Sequence, residues 1–288
     1  MLEPLEYQFF VRGLIAATMV GALCGLLGVY IVLRRMSYIG HGLSHAIFGG
    51  AVVSYVIDVN FYIGASLWGF LSAVLINMTT RARSFIAADA AIGIVTTASF
   101  AVGIALISRY RTFTRSFDAA LFGNILGVSD TDLYAIFGVT VLAFALILIF
   151  YRRLLFTTFD PEVAPFYGVS TASVDTLFSL ILAGTIVVSM QVMGVTLIAA
   201  ALVIPPSAAR LLTSDFVRLT VLSVVIGAFC GFFGLYVSYY LDVSSGANIV
   251  LFSAAVFVVA MAWSSLRARL SGVRRLPAGA IARLEDPT

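Results

Sequence analysis

A chain of 288 residues that is 61% hydrophobic and 11% charged departs from a soluble domain, which is about half apolar and about one quarter charged; it cannot be an ordinary water-soluble globule. All 17 basic residues are arginine, which excludes lysine Schiff-base chemistry and the lysine of a phosphate-binding loop, so the chain does not hydrolyse ATP by that route. A net charge of +3 with no basic stripe interleaved with aromatics excludes nucleic acid as a partner.

Such a chain must be divided into membrane spans of about 20 residues. The segment before Gly13 carries Glu3 and Glu6 and no basic n-region, so the first apolar stretch is expected to remain as a helix and not to be cleaved as a signal peptide. Stretches free of Asp, Glu and Arg predict spans at 13–33, 36–57, 59–80, 90–108, 133–151, 219–241 and 243–266. In the first, Gly21 and Gly25 make a GxxxG suited to close helix packing. The second holds both histidines of the chain. Asp89 opens the fourth as an N-cap, or stands as a carboxylate in a permeation path. Residues 118–132 are too short and interrupted to span, and read as an external or re-entrant element. Phe159, Asp160, Pro161 and Glu162 signal a turn. The window 176–209 is too long for one untilted crossing, so Gly194 divides it into two pieces and Pro205–Pro206 break the second. A second GxxxG, Gly227 and Gly231, lies in 219–241. The domain division is a transmembrane unit over 1–266 and an arginine-rich cytoplasmic tail over 267–288. Cys24 and Cys230 sit in separate apolar runs as packing residues.

Eight or nine passes follow from these windows. With nine, thirteen of the seventeen arginines fall on one side, which the positive-inside rule makes cytoplasmic. The N-terminus is then outside and the C-terminus inside.

His41 and His45 fall in one heptapeptide, 40–46 (Gly-His-Gly-Leu-Ser-His-Ala). Four residues along a helix turn by about 40° beyond one revolution, which stacks the two imidazoles on one face, a spacing suited to one transition-metal ion. The plainer reading is a pair of hydrogen-bonding histidines in the bundle. Neither HExxH, GxSxG, GxxxxGK[ST] nor GxGxxG occurs, so no catalytic reading stands. The stretch Pro205, Pro206, Ser207, Ala208, Ala209, Arg210, Leu211 and Leu212 reads either as the end of a span or as a short surface helix through which a permease receives movement from a separate motor.

Several segments together resemble the membrane permease subunits of bacterial metal-ion ABC importers, the ABC-3 family. They are 33–40 (Leu-Arg-Arg-Met-Ser-Tyr-Ile-Gly), 43–46 (Leu-Ser-His-Ala), 89–94 (Asp-Ala-Ala-Ile-Gly-Ile), 121–128 (Leu-Phe-Gly-Asn-Ile-Leu-Gly-Val), 159–162, 204–212 and 245–247 (Ser-Gly-Ala). The resemblance covers 13–266 and implies an all-α, polytopic membrane bundle of eight or nine helices, type II ABC importer-like, in the bacterial plasma membrane. It implies a homodimer of permeases around a central path, two cytosolic ABC ATPase subunits, and an extracellular or periplasmic metal-binding protein. It assigns His45 to the metal path and 207–212 to the coupling helix. The cargo is a divalent ion, zinc or manganese with iron as a third member, and no cofactor is held permanently. The family usually has Asp where this chain has His41, Ala where it has Pro206 and Pro where it has Ser244. Imidazole in place of a hard carboxylate moves preference from manganese toward zinc or iron. The competing expectation is a gradient-driven metal transporter or channel, which would hold coupling carboxylates near the midplane; a membrane metalloenzyme ranks third.

Overall fold

The computed structural model describes residues 3–82, 88–110 and 121–270. Ten α-helices lie wholly within them, with no β-strand among the described residues: α1 (Gln8–Leu33), α2 (Ser37–Val56), α3 (Phe61–Ala82), α4 (Ala88–Tyr110), α5 (Asp130–Ile149), α6 (Tyr151–Phe159), α7 (Thr171–Met193), α8 (Ile198–Leu212), α9 (Phe216–Leu241) and α10 (Ser245–Leu270). Seven of them, α1, α3, α4, α5, α7, α9 and α10, are long and apolar enough to cross a membrane. Helices dominate because an apolar segment in lipid has no water to satisfy its backbone, and the helix satisfies it internally. The 20-residue α2 is long enough as well, and its two histidines lower its hydropathy. Arg83, Arg111, Arg115, Arg274, Arg275 and Arg283, and with them most of the tail, lie outside the described residues.

The two GxxxG motifs meet. A Cβ on Gly21 would stand 2.2 Å from the Gly227 carbonyl oxygen, one on Gly25 2.4 Å from that of Ser223, and one on Gly231 2.2 Å from that of Ala17. α1 and α9 therefore cross antiparallel, backbone on backbone, as small residues permit. The Ser223 hydroxyl clamps the crossing by donating to the Gly25 carbonyl at 2.6 Å. Gly42 faces Ile92 and Thr96, whereas Gly49 faces Ser99 and Gly103, so α2 and α4 run parallel. α9 and α10 form a hairpin held where the Asn248 amide donates to the Gly234 carbonyl at 2.6 Å.

Arginine collects at one end of this bundle. Arg34 ends α1 and reaches Thr157 and Thr158 of α6 and Asp175 of α7. Val29, Ala209 and Leu219 form a small core at the same end, which places the adjoining Arg210 and Arg218 there. The antiparallel course of α9 and α10 brings Arg267 and Arg269 back to it. The opposite end is pinned by the Arg12–Asp130 ion pair at 2.8 Å, and by the Tyr62 hydroxyl donating to Asp132 at 2.5 Å. Asp132 also closes the capping box with Ser129 that starts α5. Left-handed residues turn the chain between helices: Arg35 at φ 56°, Asp58 at φ 56° and Asp242 at φ 53°. At Arg35 the bonds Met36 N–H to Ile31 O (2.9 Å) and Arg35 N–H to Val32 O (3.2 Å) form a Schellman motif, usually a glycine's role.

α10 runs through Arg267 and Arg269 to Leu270. One expectation needs correction. The prolines do not break the second piece of 176–209: α8 is one helix from Ile198 to Leu212 with Pro205 and Pro206 inside it. Proline at 206 deprives the Leu202 carbonyl of its i+4 donor, and that oxygen lies 1.9 Å from where a Cβ of residue 28 would stand. Gly28 thus lets α1 close over the vacated carbonyl, which any side chain at position 28 would push away. The division at Gly194 is present. There φ is 75°, which favours glycine, and α7 ends at Met193.

Candidate metal path

His41 and His45 both lie on α2, His45 as the ninth of its twenty residues and so near the helix midpoint. Their ring centroids are 4.4 Å apart, one turn stacked over the next. Tyr38 flanks His41 at 5.8 Å and Phe100 of α4 flanks His45 at 5.1 Å. The side of α2 bearing Tyr38 and His41 is exposed in the single chain, and His45 is half-buried. Gly42 places α4 directly against α2, since a Cβ there would stand 2.5 Å from Ile92 Cγ2, and this keeps Phe100 against the His45 ring.

Nδ1 of His45 lies 3.0 Å from the His41 carbonyl oxygen. A carbonyl can only accept, so Nδ1 carries the proton and Nε2 presents its lone pair away from the helix. A histidine oriented through one nitrogen and open at the other is arranged as a metal ligand. No group of three or more His, Cys, Asp and Glu comes together among the described residues. The pair therefore supplies an incomplete coordination shell from this chain alone.

Asp89 is the second residue of α4, inside its first turn and not preceding it, and it does not join the histidines in a cluster of three. Of 205–212, Pro205, Pro206, Ala208 and Ala209 are buried, Ser207, Leu211 and Leu212 are half-buried, and Arg210 alone is exposed. The piece is thus mainly a packed helix end. A more prominent feature escaped the sequence reading: at the arginine end, the last residue of α6, Phe159, and Phe166 (89%) and Tyr167 (75%) of the turn after it are exposed. The turn itself was readable from Asp160-Pro161, but its surrounding aromatics read equally well as core.

The Arg34–Asp175 pair was also missed. Arg34 Nη1 meets Asp175 at 2.8 Å, with its guanidinium 5.1 Å from the Phe178 ring centroid. Burial pulls the Arg34 pKa below its ordinary value, and the facing Asp175 carboxylate pushes it back up. The pair ties the start of the α1–α2 turn, and so the base of the histidine helix, to α6 and α7. The available signal was that Asp175 is the lone charged residue between Glu162 and Arg210.

The profile of the ABC 3 transport family matches residues 6–264. The manganese transport system membrane protein MntC of Halalkalibacterium halodurans is 37% identical over 262 residues, 91% of this chain and 89% of that protein. The manganese import system permease protein ScaB of Streptococcus gordonii is 37% identical over 254 residues, 88% and 91% of the two chains. Among solved structures, PsaBC from Streptococcus pneumoniae in complex with Fab superposes with a TM-score of 0.81 at 36% identity, covering 90% of this chain and 92% of that one. The profile spans α1 to α9 and most of α10, including the histidine helix and the divided helix beside it, and on this match the chain belongs to the ABC 3 transport family.

Proposed function

We propose that the chain is the membrane permease subunit of an ATP-driven importer for divalent transition-metal ions, and that His41 and His45 contact the ion in transit. The observation that carries this reading is the stacked, half-open histidine pair near the midpoint of α2, with Nε2 of His45 free. Family membership and the printed names of MntC and ScaB support the class of cargo. An incomplete shell suits transport, because an ion must bind well enough to enter and weakly enough to leave. The exposed face at Tyr38 and His41 is where a second permease copy would complete the shell. Imidazoles favour zinc or iron over manganese relative to the carboxylate usual in the family; the cargo is zinc or manganese, zinc ahead of manganese, with iron as a third member of the class, and no cofactor is held permanently. Asp89 stands at the arginine-end mouth of the same helix pair as a secondary carboxylate.

Nine crossings, α1 to α5 and α7 to α10, put the arginine end in the cytoplasm, the N-terminus outside and the C-terminus inside. Cysteines introduced at Glu3 and Arg269, in a chain lacking Cys24 and Cys230, are expected to be labelled from outside and from the cytoplasm respectively. Labelling of both from one side would overturn the nine-pass topology.

ATP hydrolysis belongs to separate cytosolic subunits, and an external metal-binding protein delivers the ion. The docking surface for the ATPase combines Arg210 with the aromatic turn at Phe159, Phe166 and Tyr167, since large apolar side chains left bare on the cytoplasmic side mark a protein contact. Replacing Phe166 and Tyr167 together by Asp is expected to reduce co-purification of the ATPase with the permease by at least about tenfold, two buried aromatic anchors being worth more than about 1.4 kcal/mol. Arg210→Glu is expected to leave the complex assembled while separating hydrolysis from uptake. Wild-type retention of the ATPase and wild-type uptake in both variants would refute the surface.

A further inference from the structure

We infer that Ser44 is a positioning residue that ties the orientation of His45 to the junction between α7 and α8. The inference rests on the histidine-path reading above. Ser44 is fully buried, at 0% exposure, and its hydroxyl lies 2.8 Å from the His41 carbonyl oxygen and 3.1 Å from the Val195 carbonyl oxygen. A serine hydroxyl has one proton to give, so these two carbonyls share it.

Both acceptors have a second significance. The His41 carbonyl is the group that receives Nδ1–H of His45, as well as the intrahelical N–H of residue 45. Three donors thus converge on one oxygen with two lone pairs. The Val195 carbonyl belongs to the short segment between the end of α7 at Met193 and the start of α8 at Ile198. That segment is held from the far side by 121–124. Thr196 donates to the Leu121 carbonyl through its hydroxyl at 2.8 Å and its N–H at 3.3 Å, and Asn124 N–H donates to the Gln191 carbonyl at 3.1 Å. Gly194 and Gly123, both at positive φ, pack without room for a side chain on either.

The consequence is directional. With the junction in its present place, Val195 takes part of the Ser44 proton, and the His41 carbonyl accepts from the His45 ring beside the Ser44 hydroxyl. If α8 moves and withdraws Val195, the hydroxyl turns fully onto His41 O and competes with Nδ1–H of His45. The ring then loses the bond that aims Nε2, and the ion loses a ligand. α8 is the helix that carries Arg210 to the arginine end, so a push received there has a path of covalent backbone and one hydroxyl to the metal ligand. This is a two-position element of the kind that energetic coupling requires.

The test uses the full chain assembled with its ATPase and metal-binding protein. Ser44→Ala removes the competitor, so His45 stays aimed whatever α8 does. The expected result is a split: the metal KM falls several-fold while maximal uptake falls at least fivefold, with hydrolysis retained. Ser44→Thr, which keeps the hydroxyl, is expected to restore the maximal rate. The second measurement is long-range nitrogen–proton spectroscopy of the full-length permease in detergent, labelled with ¹⁵N-histidine; the chain has two histidines. Ser44→Ala should shift the His45 ring signals and leave those of His41 nearly in place. Wild-type KM, maximal rate and His45 signals in Ser44→Ala, while His45→Ala still abolishes uptake, would overturn the role of Ser44 alone. Wild-type uptake in His45→Ala would instead remove the path reading on which it rests.

Discussion

Replacing His45 by Ala is expected to abolish metal uptake, to below about 1% of the wild-type rate, with the protein still folded and inserted. The imidazole is half-buried between His41 and Phe100, so truncation opens space at a partly exposed face and leaves the core of α1, α7 and α9 untouched. What disappears is a preset ligand. Nδ1 is already committed to the His41 carbonyl at 3.0 Å, and Nε2 has no rotational search to make when an ion arrives. Neither Ala nor a water held by Ala can repeat that, because no third His, Cys, Asp or Glu gathers with the pair among the described residues. His41→Asp is expected to behave differently. It keeps a donor one turn away and replaces a borderline ligand by a hard one, so uptake persists while the preference moves toward manganese. Competition between manganese and zinc in the same uptake assay reads both variants. Equal rates in wild type and the double Ala variant would make the pair a packing feature.

Gly21→Leu is expected to eliminate nearly all folded protein, read as loss of the monodisperse peak and of a cooperative thermal transition in detergent. The Cβ would stand 2.2 Å from the Gly227 carbonyl oxygen, and that carbonyl is backbone in a helix that cannot yield locally. Ordinary overpacking costs about 1–3 kcal/mol because side chains shift; here α1 and α9 must separate along their whole crossing. That separation also removes the Ser223 bond to the Gly25 carbonyl. Gly138 is the control, since a Cβ there meets nothing within 4 Å. Gly138→Ala should leave the transition unchanged or raise it, a helical glycine costing about 0.5–1 kcal/mol relative to alanine. Similar behaviour of the two variants would show that α1 and α9 do not meet backbone to backbone.

Much of this architecture could be read from local pattern. Uncharged windows marked the helices because charge at membrane depth is costly, the glycine spacings marked a crossing, and Gly194 marked the division of 176–209. The histidine spacing placed two rings on one face, and they meet there. Other features depend on what comes from elsewhere in the chain. Pro205 and Pro206 suggest a break until Gly28 is seen to cover the Leu202 carbonyl. The stretch 205–212 reads as a span end or as a surface helix until Ala209 is seen packed with Val29 of α1 and Leu219 of α9 while Arg210 stays exposed. Arg34 and Asp175 are 141 residues apart, so no local spacing could pair them. Ser44 registers in sequence only as a small residue; its importance lies in a carbonyl on α2 and another at the α7–α8 junction.

The most direct test of the central claim is uptake of labelled manganese and zinc into proteoliposomes holding this permease, with and without its ATPase and ATP. The account predicts accumulation only when the ATPase and ATP are both present, and none when His41 and His45 are replaced by Ala. Robust accumulation by the permease alone, driven by an imposed ion gradient, would contradict it and establish a self-sufficient transporter.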